Sequence, residues 1–311
     1  MPRSQKGKPT MTMPTAAVAA LTPEQAALLP SDEDIARYRE TGYYLSRKLF
    51  SDDEMDVVLA GSDRFYSGAV DDLGADERLA RFPDKFRPKG EYAPDALRKN
   101  DYASFQNREL FALVRHPLLG AVAARLAGAP VRLWHDQLLY KPVEPPNGKP
   151  ANVGWHTDRG YWKTCTSANM LTAWIPFHDC DERMGTITMI EGSQHWPDNT
   201  HHLDFFSSDL EGLEAKFVTG GRSVVKVPMN LPKGHVSFHH CLVIHGSGPN
   251  KGTHPRRSIA VHLQDESNRY QEYVRPGGVL ARHANDTLVE KDMDGRPDYA
   301  DPLICPELGR P

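Results

Sequence analysis

The stretch NVGWHTDRGYW, Asn152 to Trp162, sets an imidazole and a carboxylate two residues apart, at His156 and Asp158, among glycines and aromatics. On an extended strand, residues i and i+2 face the same way. Both side chains can then converge on one atom, on the face they share with Gly154. A bare His-x-Asp is too short to be specific and reads equally well as a hydrogen-bonded pair at a strand end. A third ligand is available in HVSFHHCLVIHGSGPN, where His245 stands at a strand end just before a Gly-Ser-Gly turn. Two imidazoles and one carboxylate on one face of a metal leave three positions open. That set suits non-haem Fe(II) holding a co-substrate and O2.

Eleven residues after His245 comes Arg256, in HPRRSIAVHLQDE. Strand parity puts Arg256, Ser258, Ala260 and His262 on one polar or small face, with Arg257, Ile259, Val261 and Leu263 on a mostly apolar one. A guanidinium fork matches a carboxylate in bidentate fashion. A keto acid that chelates iron at one end and carries a second carboxylate at the other would need such a group, and 2-oxoglutarate is that molecule. Other histidines fit less well. His239 and His240 are adjacent and so face opposite ways, His201 and His202 lie in a polar connection, and His195 sits in a turn. All five are expected not to be ligands.

The elements that must position these residues follow from composition and pattern. The chain has 311 residues, enough for one large domain or two small ones, and a formal net charge of -4. That charge gives no argument for nucleic acid or an anionic membrane as partner, and no obligate protein partner is evident. The four cysteines, Cys165, Cys180, Cys241 and Cys305, form no CxxC pair, which fits a reduced, cytoplasmic setting. No apolar run approaches the ~18 residues of a membrane span. The apolar part of the N-terminus is shorter than a signal peptide needs, and residues 1–30 are expected to be a poorly ordered tail, with Met11 or Met13 an alternative start.

One domain is expected over 31–311. Residues 31–128 read helical: Ser31 caps a helix, Ser51 and Glu54 form a capping box, and Leu110 to Leu126 makes two helices broken at Pro117. From about 130 to 265 short β-branched and aromatic segments alternate with turn residues, which predicts a sandwich or barrel. Helices first and strands later give an α+β, mainly β order with helices on one sheet. Residues 266–311 are expected to wrap the surface without much regular structure.

Four segments, QLLYKP, GWHTDRGYW, TAWIPFHDCDERMGTITMIEGSQHW and VIHGSGPNKGTHPRRSIAVHL, occur in an order that resembles the phytanoyl-CoA dioxygenase family of Fe(II)/2-oxoglutarate oxygenases. The third departs from the family pattern in having Gln194 between Ser193 and His195. The resemblance implies a double-stranded β-helix (jelly-roll, cupin-like) core and iron ligands at His156, Asp158 and His245. It also implies contacts to 2-oxoglutarate from Arg256, Lys141 and Trp174. Gln137 shares a strand face with Lys141, and Ser258 lies two residues from Arg256, so both are candidates for the same cavity. Family members that halogenate carry a small residue where Asp158 stands, so hydroxylation or a related oxidation of a small-molecule substrate is expected here.

Tyr161 and Trp162 are candidates to line the substrate pocket, and Arg87, in a basic Pro-bounded loop, to face an acidic substrate. The segment from Gln194 to Arg222, with the loop Lys85 to Tyr92, is expected to close over the barrel mouth or to buttress the sheet from outside. The competing functions are a zinc hydrolase using the same triad, which leaves Arg256 unexplained, and a non-enzymatic metal-binding β-helix protein.

Overall fold

The computed structural model describes residues 20–73, 82–92, 96–146, 150–197, 199, 203–219 and 221–311. Order begins ahead of the expected boundary at residue 31. Thr22 caps α1 (Pro23–Ala26) through a full capping box, and Leu21, Leu28 and Leu29 pack against the main core. Both predicted caps are in place. Ser31 opens α2 (Asp32–Thr41), and Ser51 with Glu54 opens α3 (Asp52–Tyr66). Between them runs β1 (Tyr43–Leu45). After β2 (Arg98–Asp101) come α4 (Arg108–Val114) and α5 (Pro117–Ala127), parted at Arg115 and His116 as Pro117 requires. By length and mean hydropathy of 1.4 the stretch Arg108–Ala127 would pass for a membrane span. It forms two helices, and most of their apolar side chains are buried in the main core.

The strands then follow: β3 (Val131–Lys141), β4 (Val153–His156), β5 (Leu171–Pro176), β6 (Thr188–Ile190), β7 (Lys226–Pro228), β8 (Ser237–His240), β9 (His245–Ser247), β10 (Arg256–Asp265) and β11 (Glu307–Gly309). Between β6 and β7 lies α6 (Leu210–Phe217), and α7 (Asn285–Leu288) precedes β11. One antiparallel sheet has the order β1-β8-β5-β10-β3-β11, with β2 also on β3; the other has β4-β9-β6-β7. They face each other as the expected double-stranded β-helix. Between them sits an apolar layer from both sheets, including Leu139, Trp174 and Ala260 from one and Val153 and Met189 from the other. The opposite face of the larger sheet, with Leu138, Ile175, Ile259 and Val261, packs on α3, α4 and α5 through Val58, Leu110 and Val122.

Two local features depart from strand-by-strand reading. HVSFHHCLVIHG is not one strand. It leaves the larger sheet after His240, turns through Cys241 to Val243 with Val243 N donating to His240 O, and joins the smaller sheet at His245. And β4 ends at His156, with Thr157 still extended and Asp158 starting a 3-10 turn.

The segment between Gln194 and Arg222 divides its roles. Leu213 and Phe217 of α6 pack on Trp155, Ile190 and Ile244, so α6 is an outer buttress of the smaller sheet. Asp204 and Phe205 instead pair with the β4 backbone, Asp204 N donating to Trp155 O and Gly154 N to Phe205 O. His201 and His202 lie outside the described residues. In the loop from Lys85 to Tyr92, Phe86 packs on Tyr102, a residue of the outer cavity, and Tyr92 on Tyr66.

Gly154 permits the approach of Phe205. A Cβ there would stand 2.0 Å from Asp204 O and 2.9 Å from Leu213 Cδ1. Gly154→Ala should therefore destabilise the fold by about 1–3 kcal/mol through overpacking, read from the midpoint of urea unfolding. An unchanged midpoint would show that the Asp204–Phe205 segment yields freely.

A candidate metal centre between two chambers

The extended run from His156 to Asp158 and the switch of sheets before His245 bring three predicted ligands together. One ligand atom from each of His156, Asp158 and His245 lies within 4.8 Å of the other two, and all three residues are buried. His156 Nδ1 is 2.8 Å from Gly154 O, and His245 Nδ1 is 3.0 Å from Val243 O. A carbonyl only accepts, so both imidazoles carry their proton on Nδ1 and turn the Nε2 lone pair inward. Those Nε2 atoms stand 3.9 and 3.8 Å from Asp158 Oδ1. Burial pushes both imidazoles below their usual pKa, which keeps them in the neutral, ligating form.

The other carboxylate oxygen is held by the larger sheet. Asp158 Oδ2 accepts from Thr172 Oγ1 at 2.5 Å, and His239 Nε2 lies 3.3 Å away. Burial would raise this carboxyl, but His262, His239 and His245 outweigh it and hold it well below the usual range. His239 was expected not to be a ligand, and it is outside the ligand group. It stands opposite Thr172 in the register of β8 on β5, which sets it near the same carboxylate, with its ring centroid 4.4 Å from that of His245. Thr172 is two residues before Trp174 on β5, so strand parity was the signal that would have found it.

Two chambers meet at this centre, sharing Gln137, His156, Asp158, Phe205 and His262. The inner one runs down between the sheets past Thr172, Trp174 and His239 to Arg256. Arg256 is 1 % exposed. It donates one bond, from Nη1 to Gly185 O, its guanidinium lies 5.3 Å from the Trp174 ring centroid, and its Nε has no partner. No carboxylate pairs with it among the described residues. Trp174 Nε1 and Ser258 Oγ nearby are also buried without partners. An unpaired buried guanidinium is costly, and a carboxylate at the end of this chamber would relieve it. The donor set thus fits both groups that the sequence implied: iron on two imidazoles and a carboxylate, and an anionic chelator reaching from the iron to Arg256.

Lys141 pairs in register with Arg256 across β3 and β10 but is directed elsewhere. Its Nζ donates to Ser247 Oγ at 2.6 Å, to Gly248 O at 2.5 Å and to Ser247 O at 3.3 Å. Burial, with Arg256 beside it, pushes its pKa well down. Neither Lys141 nor Ser258 lines the inner chamber. Arg257 lies on the opposite face, as strand parity requires, and its guanidinium meets Asp63 of α3.

The outer chamber, about 250 Å³, opens to solvent and is lined by Tyr161, Trp162 and Phe205 as well as His135 and His262. Tyr161 Oη accepts from Phe205 N at 2.8 Å, locking this wall. Arg87 does not reach it and pairs with Asp84 of its own loop. The rim includes Arg275, Arg282 and His283 from the C-terminal extension. The expected surface wrap thus contributes to the site, a long-range contact with no local sequence signal.

The family profile described as phytanoyl-CoA dioxygenase (PhyH) matches residues 38–258. The peroxisomal phytanoyl-CoA dioxygenase of Bos taurus is 25% identical over 235 residues, covering 75% of this chain and 68% of that protein. An ectoine dioxygenase of Bordetella parapertussis is 23% identical over 275 residues, covering 82% of this chain and 83% of that one. The fold is shared with the epimerase SnoN, solved in complex with Fe3+, alpha ketoglutarate and nogalamycin RO. That match has a TM-score of 0.60 at 22% identity, over 90% of this chain and 94% of that one. Profile, ligand triad and fold agree, and the chain belongs to the phytanoyl-CoA dioxygenase family of Fe(II)- and 2-oxoglutarate-dependent oxygenases.

Proposed function

We propose that this chain oxidises a C–H bond of a small organic molecule held in the outer chamber, by hydroxylation in the first instance, with succinate and CO2 as co-products. The observation that carries this reading is the pair of chambers meeting at one buried His-Asp-His centre, the inner one ending at an unpaired guanidinium. When bound, iron and 2-oxoglutarate supply the oxidising chemistry with O2.

The chain's residues do the rest. His156, Asp158 and His245 hold the metal. Arg256 grips the distal carboxylate, Trp174 walls it, and Gln137 stands where the chambers join. Ser258 supports the same strand face next to Arg256. Lys141 acts at one remove, by tying β3 to the turn at Ser247 and Gly248 that follows His245. Tyr161, Trp162 and Phe205 shape the substrate wall and exclude water from it. Four buried free cysteines support a reducing, cytoplasmic setting. A zinc hydrolase would leave Arg256 and its chamber without a purpose.

Replacing His156, Asp158 or His245 by alanine should remove most Fe(II) binding in an anaerobic titration. Thr172→Val should lower Fe(II) affinity about 10- to 100-fold, because it frees Asp158 Oδ2. Full Fe(II) affinity in Asp158→Ala would dismiss the triad.

Arg256→Ala should weaken 2-oxoglutarate binding about 30- to 5,000-fold, the effect of about 2–5 kcal/mol for a buried carboxylate losing its charged partner. Arg256→Lys should restore only part of it, since an ammonium lacks the fork. Lys141→Met should change 2-oxoglutarate affinity less than Arg256→Ala, and Arg257→Ala should be silent. An unchanged Kd in Arg256→Ala would reassign the inner chamber.

Hydrogen exchange offers a separate check on the chamber wall. Adding 2-oxoglutarate to the Fe(II)-loaded protein should slow exchange around Asp204 to Phe206 and leave α6 and the Lys85–Tyr92 loop as they were. Equal protection in both states would make the whole Gln194–Arg222 segment a static buttress.

A further inference from the structure

The outer chamber carries a buried histidine cluster that the oxidation itself does not need. His135 of β3 and His262 of β10 are register partners, with ring centroids 4.4 Å apart. His283 packs beside His135 at 4.9 Å. His135 is 4 % and His262 3 % exposed, and both line the chamber.

The proton on His262 is fixed by its neighbours. The Asp158 carboxylate only accepts, so the single proton of Thr172 Oγ1 goes to Asp158 Oδ2. Thr172 Oγ1 must then accept from His262 Nδ1, 2.7 Å away. That leaves a lone pair on His262 Nε2, which has no partner in the protein. His135 is unpartnered at both ring nitrogens, and a neutral imidazole offers one N–H and one lone pair. Burial keeps the His135 ring neutral. Buried polar atoms are rarely left unpaired, and two that face one chamber need a bound partner, water or ligand, there.

A hydroxyl group satisfies this wall. Its proton goes to His262 Nε2, and its oxygen accepts the N–H of His135. An ether has no proton to give. An ammonium has no lone pair to accept the N–H of His135. We infer that His262 and His135 read a hydroxyl group of the substrate, which is therefore an alcohol seated with its O–H beside Asp158 and its carbon skeleton against Tyr161, Trp162 and Phe205. The inference rests on the oxygenase reading and names its substrate class. His135 and His262 are positioning residues that fix which C–H faces the metal.

The test uses the Fe(II)- and 2-oxoglutarate-loaded protein under argon, with ligand-observed NMR as the readout. The probes are matched sets on cyclohexane, indane and tetralin skeletons, each as the alcohol, its methyl ether and the corresponding amine. The alcohols should bind about 5- to 100-fold tighter than their ethers, the range for one lost hydrogen bond that leaves a buried group unpaired. The gap should close in His262→Phe and in His135→Phe. The second variant keeps the test sound if the first disturbs Asp158, because His135 makes no hydrogen bond to an iron ligand. Ethers or amines binding as well as alcohols, no probe binding at all, or an alcohol preference that survives both substitutions would overturn the inference. The 2-oxoglutarate affinity of the unaltered protein is measured first. Its absence would bring down the oxygenase reading itself, whereas its presence without alcohol preference would sink only the hydroxyl assignment.

Discussion

The structure depends on one buried carboxylate, Asp158, whose two oxygens do different work. Oδ1 faces the lone pairs of His156 and His245 from the smaller sheet. Oδ2 is anchored to Thr172 of the larger one. Burying a carboxylate is expensive unless each oxygen is satisfied, and a short charge-assisted bond from a hydroxyl is among the stronger ways to do it. The 3-10 turn that begins at Asp158 thus joins the two sheets at the point where the chambers meet. The same bond to Thr172 sets the tautomer of His262, so the candidate metal centre and the wall of the outer chamber share one proton arrangement.

A second constraint separates two cations that adjoin in register. Arg256 and Lys141 oppose each other on β10 and β3, and two buried charges of one sign need different partners. Lys141 meets the hydroxyl and carbonyls of the turn after His245. Arg256 keeps its remaining donors for the chamber. The consequence is a buried guanidinium at the chamber's end, 5.3 Å from the centroid of the Trp174 ring.

Much of this was legible because strand parity is rigid. The alternation in Arg256 to Leu263 separated the chamber face from the packing face, and the structure keeps Arg256 and Arg257 on opposite sides. The caps at Ser31 and Ser51 were equally readable, since each is a local pattern. What escaped was set by contacts between distant segments. Nothing near His239 announces that β8 pairs with β5 in a register that sets it opposite Thr172 and 3.3 Å from Asp158. The partners of Lys141 lie more than a hundred residues away. The C-terminal extension supplies Arg275 and His283 to the chamber rim with no periodic pattern to mark it. Gln194 to Arg222 could not be divided into wall and buttress by sequence, because Phe205 and Phe217 are equally apolar and only packing separates them.

The central claim is that one centre joins an iron site to a 2-oxoglutarate chamber, and the measurement closest to it is substrate-free turnover. The Fe(II)-loaded protein in air should convert 2-oxoglutarate slowly to succinate, with O2 consumed in step, and Zn(II) in place of iron should abolish the conversion. Iron bound at the centre with no succinate formed, or turnover equally well supported by Zn(II), would contradict the account.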